Sequence, residues 1–242
     1  MILLLAGTAE ARHVARALAS AGVPAIASLA GAVRGPAELA VPTRIGGFGG
    51  AAGFRRFLVD QGIAAVLDAT HPFAARITAR TALVCDELGL PYLRVQRPAW
   101  QAGPGDVWHE VAQPEEVPGL IPAKAHLFLA VGRQQLARYA GLAGRQIVAR
   151  SIEPVASDFP WPGGRFLTGR PPFSVADEIA LFRRLGTEWL VTKNAGGSGA
   201  AAKLEAARAL ALPVAMIVRP LPPEGVEIVE TVDAALDWAL AL

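Results

Sequence analysis

The stretch "DATHPFAAR" (Asp68 to Arg76), with Arg80 four residues further on, brings together a carboxylate, a hydroxyl, an imidazole and two guanidinium groups directly after an apolar run. Imidazoles titrate near pH ~6.5, so His71 is suited to moving protons. Asp68 can orient His71 or hold a ribose hydroxyl. Pro72 suits the first position of a helix, with Thr70 or His71 as its cap. Arg76 and Arg80, at i and i+4, then share a helix face near the N-terminus, where the helix dipole already favours anions. Basic groups there are poor for helix stability and useful for holding carboxylates or phosphates.

A second anion candidate is "TKNAGGSGAAAK" (Thr192 to Lys203). Gly196, Gly197 and Gly199 can expose backbone N–H groups, and Asn194 and Ser198 add hydrogen-bonding side chains. Lys193 and Lys203 flank the loop, and they are two of only three lysines in the chain against twenty arginines. A third candidate, "AGTAEA" (Ala6 to Ala11), sets Gly7 and Thr8 between an apolar strand and a helix, the arrangement that receives phosphates at a helix N-terminus. It lacks the full GxGxxG spacing. Strand exits at "AVGRQQ" and "ARSIEP" present Arg133, Arg150, Ser151 and Glu153, and Arg219 closes the last strand.

These motifs need strand ends to hold them, and the chain supplies them. Apolar runs alternate with helical periodicity from the first residue, the pattern of βαβ units and a mainly parallel sheet. The expected strands are "ILLLA", "PAIASLA", "AAVLDA", "PYLRV", "HLFLAVG", "QIVARSI", "EWLVTKN" and "PVAMIVRP". Helices are expected at 54–61, 72–88, 133–142, 174–185, 200–210 and from Val232, and a proline-rich loop at 153–172. This predicts an α/β fold of two Rossmann-like lobes, 1–95 and 96–242, with the ligand cleft between them. Neither half detectably repeats the sequence of the other. A dinucleotide fold that prefers NAD carries an acidic residue at the end of its second strand, whereas this chain offers Ser28 and Arg34, which favours NADP.

Composition narrows the function classes. The chain has 242 residues, 52% of them apolar, enough for a substantial core. Its charges nearly cancel, at net +2, and are mixed along the chain, which argues against nucleic-acid binding. Cys85 is the single cysteine, and neither paired cysteines nor clustered histidines offer metal-ligand spacing, so no metal is expected. The "MILLLAG" opening lacks a basic leader and a long apolar run, and no stretch approaches the ~20 apolar residues of a membrane span. A cytoplasmic protein that binds a phosphate-bearing or polycarboxylate ligand is the expectation.

Taken in order, the motifs resemble the precorrin-6A reductase family of cobalamin biosynthesis. The resemblance runs through "GTAEA", "DATHPFAARI", "LAVGRQ", "ARSIEP", "VTKNAGG" and "PVAMIVRP". It implies two Rossmann-like lobes and reduction of a ring double bond of precorrin-6A, a polycarboxylate tetrapyrrole, to precorrin-6B with a hydride from NADPH. Family members of the oxygen-independent route act on the cobalt-containing analogue, some with NADH. Under this resemblance His71 is the first choice of proton donor, Lys193 the second and Asp68 the third. Gly7, Thr8, Arg34, Thr70, Arg133, Ser151, Asn194, Gly196 and Gly197 face the cofactor, and Arg76, Arg80, Arg150, Glu153, Lys203 and Arg219 the substrate. A non-catalytic dinucleotide-binding protein is the alternative from another class. A small-alcohol dehydrogenase is disfavoured because neither Tyr92 nor Tyr139 begins a Tyr-x-x-x-Lys pair.

Overall fold

Apolar runs of four or five residues are too short for a buried helix and suit strands covered on both faces, as parallel sheets require. In the computed structural model, which describes residues 1–31 and 38–242, the first half contains β1 (Ile2–Leu5), α1 (Ala9–Ser20), β2 (Ala25–Leu29), β3 (Thr43–Ile45), α2 (Gly50–Asp60), β4 (Ala65–Asp68), α3 (Ala75–Leu88) and β5 (Tyr92–Val95). Next come β6 (Val107–Val111), the short α4 (Val117–Leu120), β7 (His126–Ala130), a 3-10 segment (Arg133–Leu142), β8 (Gln146–Ser151) and β9 (Gly164–Thr168). The chain ends with α5 (Val175–Leu185), β10 (Trp189–Lys193), α6 (Ala202–Ala209), β11 (Pro213–Ile217), β12 (Glu227–Val229) and α7 (Val232–Leu240).

Among the described residues the strands form two six-stranded sheets, ordered β12-β5-β4-β1-β2-β3 and β6-β11-β10-β7-β8-β9. Every pairing is parallel. Counted outward from β1 and from β7, both follow the 3-2-1-4-5-6 order of dinucleotide-binding folds. The sixth strands are exchanged: β12, from the end of the chain, borders β5, while β6, which follows β5 in sequence, borders β11.

This exchange corrects the expected boundary at residue 95. One compact unit is Met1–Pro98 with Pro220–Leu242, and the other is Ala99–Arg219. The last segment returns because Glu227, Ile228 and Val229 pair in register with Leu93, Arg94 and Val95. Ala235 and Ala239 of α7 are buried in the same cluster as Val14 and Leu18 of α1, where small side chains permit close packing.

Strand alternation sorts the core of the first unit. Ile2 and Leu4 pack with Val14, Leu18 and Leu67 on one face of the sheet, and Leu3 and Leu5 with Phe54, Leu58, Val66 and Val84 on the other. The core of the second unit includes Phe128, Phe182, Leu190, Val214 and Met216. Each fully buried side chain of this size stabilises by about 1.5–3 kcal/mol, and replacing one by alanine typically costs about 2–5 kcal/mol.

The remaining differences from expectation are local. β9 lies within the segment read as a loop, and β3 and β12, at three residues each, are too short to show a period. α3 begins at Ala75, not Pro72, because the Ala74 N–H donates to the His71 carbonyl (2.8 Å) and closes a turn first. Residues 133–142 wind as 3-10 helix with a kink at Tyr139. No helix among the described residues is long and apolar enough to cross a membrane.

Candidate active site

Ligands of open α/β sheets bind beyond the carboxyl ends of the strands, where connections leave to opposite faces. In the first unit that point lies between β1 and β4, and in the second between β7 and β10. The motifs "AGTAEA", "DATHPFAAR", "AVGRQQ" and "TKNAGG" occupy those four ends.

After β1, Gly7 adopts φ +148°, a conformation other residues rarely take, and is exposed. Thr8 caps α1 by accepting from the Ala11 N–H (3.1 Å) and donates to the Ala69 carbonyl (2.8 Å), which ties the turn to the end of β4. The Thr8 hydroxyl is therefore committed, and its backbone is what it offers a ligand. Glu10 follows in the first turn of α1 and pairs with Arg97 at 2.5 Å. Burial raises the Glu10 pKa, but its own N–H and Arg97 outweigh burial and hold it below the usual range.

After β4, Asp68 turns inward. It is 0% exposed, with Oδ1 accepting from the Thr70 N–H (2.9 Å) and Oδ2 from Thr78 Oγ1 (2.9 Å), the Tyr92 hydroxyl (2.9 Å) and Arg94 Nη1 (2.7 Å). Arg94 is itself buried and is fixed by Thr78 and by Gln96 Oε1 (2.9 Å from Nε). Burial and the Asp68 charge push the Tyr92 phenol upward and the Cys85 thiol to about 12. Asp68 was expected as a proton donor; here its carboxylate lies beside a buried guanidinium, is held by four donors and orders the strand end. The sequence carried Arg94 as an ordinary strand residue, with no sign of this pairing.

What this end leaves for a ligand is neutral. Thr70 Oγ1 is buried and lacks a hydrogen-bond partner among the described residues, an arrangement that proteins seldom leave unfilled. His71 is half-buried, and its Nδ1 accepts from the Phe73 N–H (3.2 Å), which puts the proton of the neutral imidazole on Nε2. The two arginines of α3 part company. Arg76 is exposed, whereas Arg80 lies over the rings of Phe54 (5.1 Å) and Phe48 (5.6 Å), and burial lowers its pKa. Arg34 lies outside the described residues.

In the second unit, Gly132 (φ +82°) leads into the 3-10 segment, and Arg133 is exposed at its start. Arg150 does not present itself as a substrate arginine. Its Nη atoms donate to both oxygens of buried Glu178 (2.5 and 2.7 Å), and its guanidinium packs over Phe173 (4.1 Å) and Phe128 (4.7 Å). Ser151 Oγ donates to the Glu153 carbonyl (2.8 Å), and the Glu153 carboxylate reaches Arg170 at 3.4 Å. Ser151, expected at the cofactor, shapes its turn through this bond.

The loop after β10 is held in part by Trp100, which nothing in the sequence connects with it. Asn194 Oδ1 accepts from the Trp100 N–H, Asn194 Nδ2 donates to the Trp100 carbonyl, and Trp100 Nε1 donates to the Gly197 carbonyl, each at 2.8 Å. Arg219 donates from Nε to the Asn194 carbonyl (2.8 Å) and from Nη2 to the Ala195 carbonyl (3.0 Å). Gly196 and Gly197 take φ +66° and +74° within this frame. Lys203 is only 7% exposed, with Nζ donating to the Ala200 carbonyl (2.6 Å) and lying 4.9 Å from the Trp100 ring centroid. Asn194, Arg219 and Lys203, expected to contact ligand, brace the loop through these bonds. Burial lowers the Lys203 pKa to about 8, helped by Arg150 and opposed by Glu178. Lys193 is likewise lowered to about 8, by burial first and the Arg138 charge second.

The family described as Precorrin-6x reductase CbiJ/CobK matches residues 1–240. The chain belongs to the precorrin-6x reductase family. Within that family, precorrin-6A reductase of Rhodococcus erythropolis is 44% identical over 98% of this chain and 96% of its own length. Precorrin-6A reductase of Rhodobacter capsulatus is 39% identical over 98% and 94%. Cobalt-precorrin-6A reductase of Priestia megaterium is 29% identical over 91% of both. The solved structure of CobK precorrin-6A reductase is similar at 38% identity with a TM-score of 0.93, covering 99% of this chain and 96% of the other. The family fold is thus the α/β arrangement of two parallel sheets described above.

Proposed function

We propose that the chain reduces one ring double bond of precorrin-6A, giving precorrin-6B, with a hydride from NADPH, as a step of cobalamin biosynthesis. The observation that carries this reading is end-to-end similarity to precorrin-6A reductases at 39–44% identity. The cobalt-precorrin-6A reductases stand lower, at 25–29%, which favours the metal-free substrate.

The residues of the first unit fit a nicotinamide dinucleotide. Its strand order is that of dinucleotide folds, Gly7 leaves backbone open before α1, and the orphaned Thr70 hydroxyl at the next strand end suits a ribose or phosphate oxygen. NADPH supplies the hydride when bound. Gly7, Thr8 and Thr70 would hold it.

The exposed cations Arg76 and Arg133 are suited to pair with the acetate and propionate arms of a tetrapyrrole, since a guanidinium can meet a carboxylate with two hydrogen bonds. Reduction of a double bond also needs a proton at the carbon next to the one that accepts hydride. Lys193, with its pKa near 8, holds a proton at neutral pH and can release it more readily than an ordinary lysine. His71 is the other candidate donor in its imidazolium form, which forms when Nδ1 takes up a proton and releases the Phe73 N–H. Asp68 acts as a positioning residue.

Steady-state kinetics of Lys193→Gln and His71→Ala with precorrin-6A test the assignment. Loss of kcat at unchanged KM in one variant identifies the donor, while unchanged kcat in both removes these residues from proton transfer. Parallel assays with cobalt-precorrin-6A and NADH test the choice of substrate and reductant.

A further inference from the structure

At the carboxyl end of β2 the chain offers a donor set that none of the recognised motifs includes. Arg44 of β3 stands directly opposite Ser28 of β2 in the parallel register. Its Nη1 donates to Ser28 Oγ (2.8 Å) and the Gly46 carbonyl (3.0 Å), and its Nη2 to the Gly47 carbonyl (3.0 Å). The guanidinium carbon lies 4.1 Å from the Phe48 ring centroid and 5.1 Å from that of Phe57. A side chain that would otherwise lose much rotamer freedom on binding is thus already held in one conformation.

Among the described residues, three of the five guanidinium hydrogens are used in this way, which leaves Nε–H and one on Nη2. These are donors of the kind arginine sets against phosphate oxygens in pairs. Ser28 accepts from Arg44, so its own hydroxyl hydrogen is available as a third donor. No carboxylate pairs with Arg44 among the described residues, and β2 runs out through Ser28, Leu29, Ala30 and Gly31 without an acid. In a fold with this strand order the end of the second strand faces the adenosine ribose, and an acid there selects a free 2′-hydroxyl. A serine beside a preorganised arginine selects the opposite, a 2′-phosphate.

We infer that Ser28 and Arg44 form the subsite for the adenosine 2′-phosphate and set the preference for NADPH over NADH. This rests on the dinucleotide reading of the first unit. It moves the role from Arg34, the residue expected from the sequence, to an arginine ten positions later in the chain.

Calorimetric titration of the intact protein tests this without turnover, using NADPH, NADH, adenosine 2′,5′-bisphosphate and 5′-AMP. The wild type binds NADPH more tightly than NADH. Arg44→Ala weakens NADPH and the bisphosphate by about tenfold or more and leaves NADH and 5′-AMP within about twofold, because a charge-assisted pair is lost from only one ligand class. Arg44→Lys keeps the charge but not the fork, so it shows a smaller loss of the same sign and serves if the alanine variant does not fold. Ser28→Ala weakens NADPH less than Arg44→Ala does. Undiminished NADPH preference in Arg44→Ala, equal weakening of both dinucleotides, or loss of preference in Arg34→Ala alone each overturns the inference. A wild type that binds neither dinucleotide contradicts the cofactor reading instead.

Discussion

The two units repeat one strand order and fill its ligand-binding end in opposite ways. In the first, the acid and the arginine nearest the strand ends are withdrawn: Asp68 and Arg94 pair at 2.7 Å in the interior and leave Gly7, the Thr70 hydroxyl and His71 outside. In the second, Asn194, Trp100 and Arg219 hold the loop after β10 through its backbone, and Lys193 stands at the strand end with its pKa drawn down to about 8. Topology determines where a ligand can bind. Which groups the strand ends present determines which chemistry the site can perform.

Asp68→Ala should break the contrast most severely. Removing one partner of a buried ion pair strands the other charge, and a loss of about 3–5 kcal/mol is expected in urea unfolding. Were Asp68 a proton donor with no structural task, the same variant would keep its stability and lose only kcat. Lys193→Gln addresses the other end. If the ammonium is the acid, kcat falls by roughly a hundredfold. The wild-type kcat should also decline as pH rises through about 8, where Lys193 loses its proton, and the variant should lack that decline.

Trp100→Phe keeps a ring beside Lys203 and removes only the indole donor to Gly197. A KM increase of about fivefold at nearly constant kcat is expected, the value of one hydrogen bond that preforms the loop. An unchanged KM would mean that the loop needs no such brace. Lys203 gives the smallest effect. Its pKa falls from 10.5 to about 8 on folding, so between those values the unfolded chain binds more protons and stability rises with pH. Lys203→Met should lose that rise, which is seen by comparing the pH dependence of the two melting temperatures.

Much of this was legible in the sequence. Alternating apolar runs gave the central strands and the α/β class, and the polar turns that follow them fell at both topological switch points. These edge strands were not legible, because "TRI", "GRFLT" and "EIV" are too short or too mixed to show a period and gain their order from the neighbour they pair with. Exchange of β6 and β12 is a long-range choice between two sheets of the same order, invisible to local periodicity. At the site, residue type misled wherever a buried partner was unknown. Arg150 and Asp68 look like ligand groups until Glu178 and Arg94 are found beside them. Trp100 gave no sign of its role, since its contacts lie about ninety residues away in the chain.

The most direct test of the whole account is to mix the purified protein with precorrin-6A and NADPH and follow the nicotinamide absorbance together with the tetrapyrrole product. The account predicts one NADPH oxidised for each precorrin-6B formed, with precorrin-6A preferred over its cobalt analogue. Binding of NADPH without oxidation in the presence of precorrin-6A would contradict it.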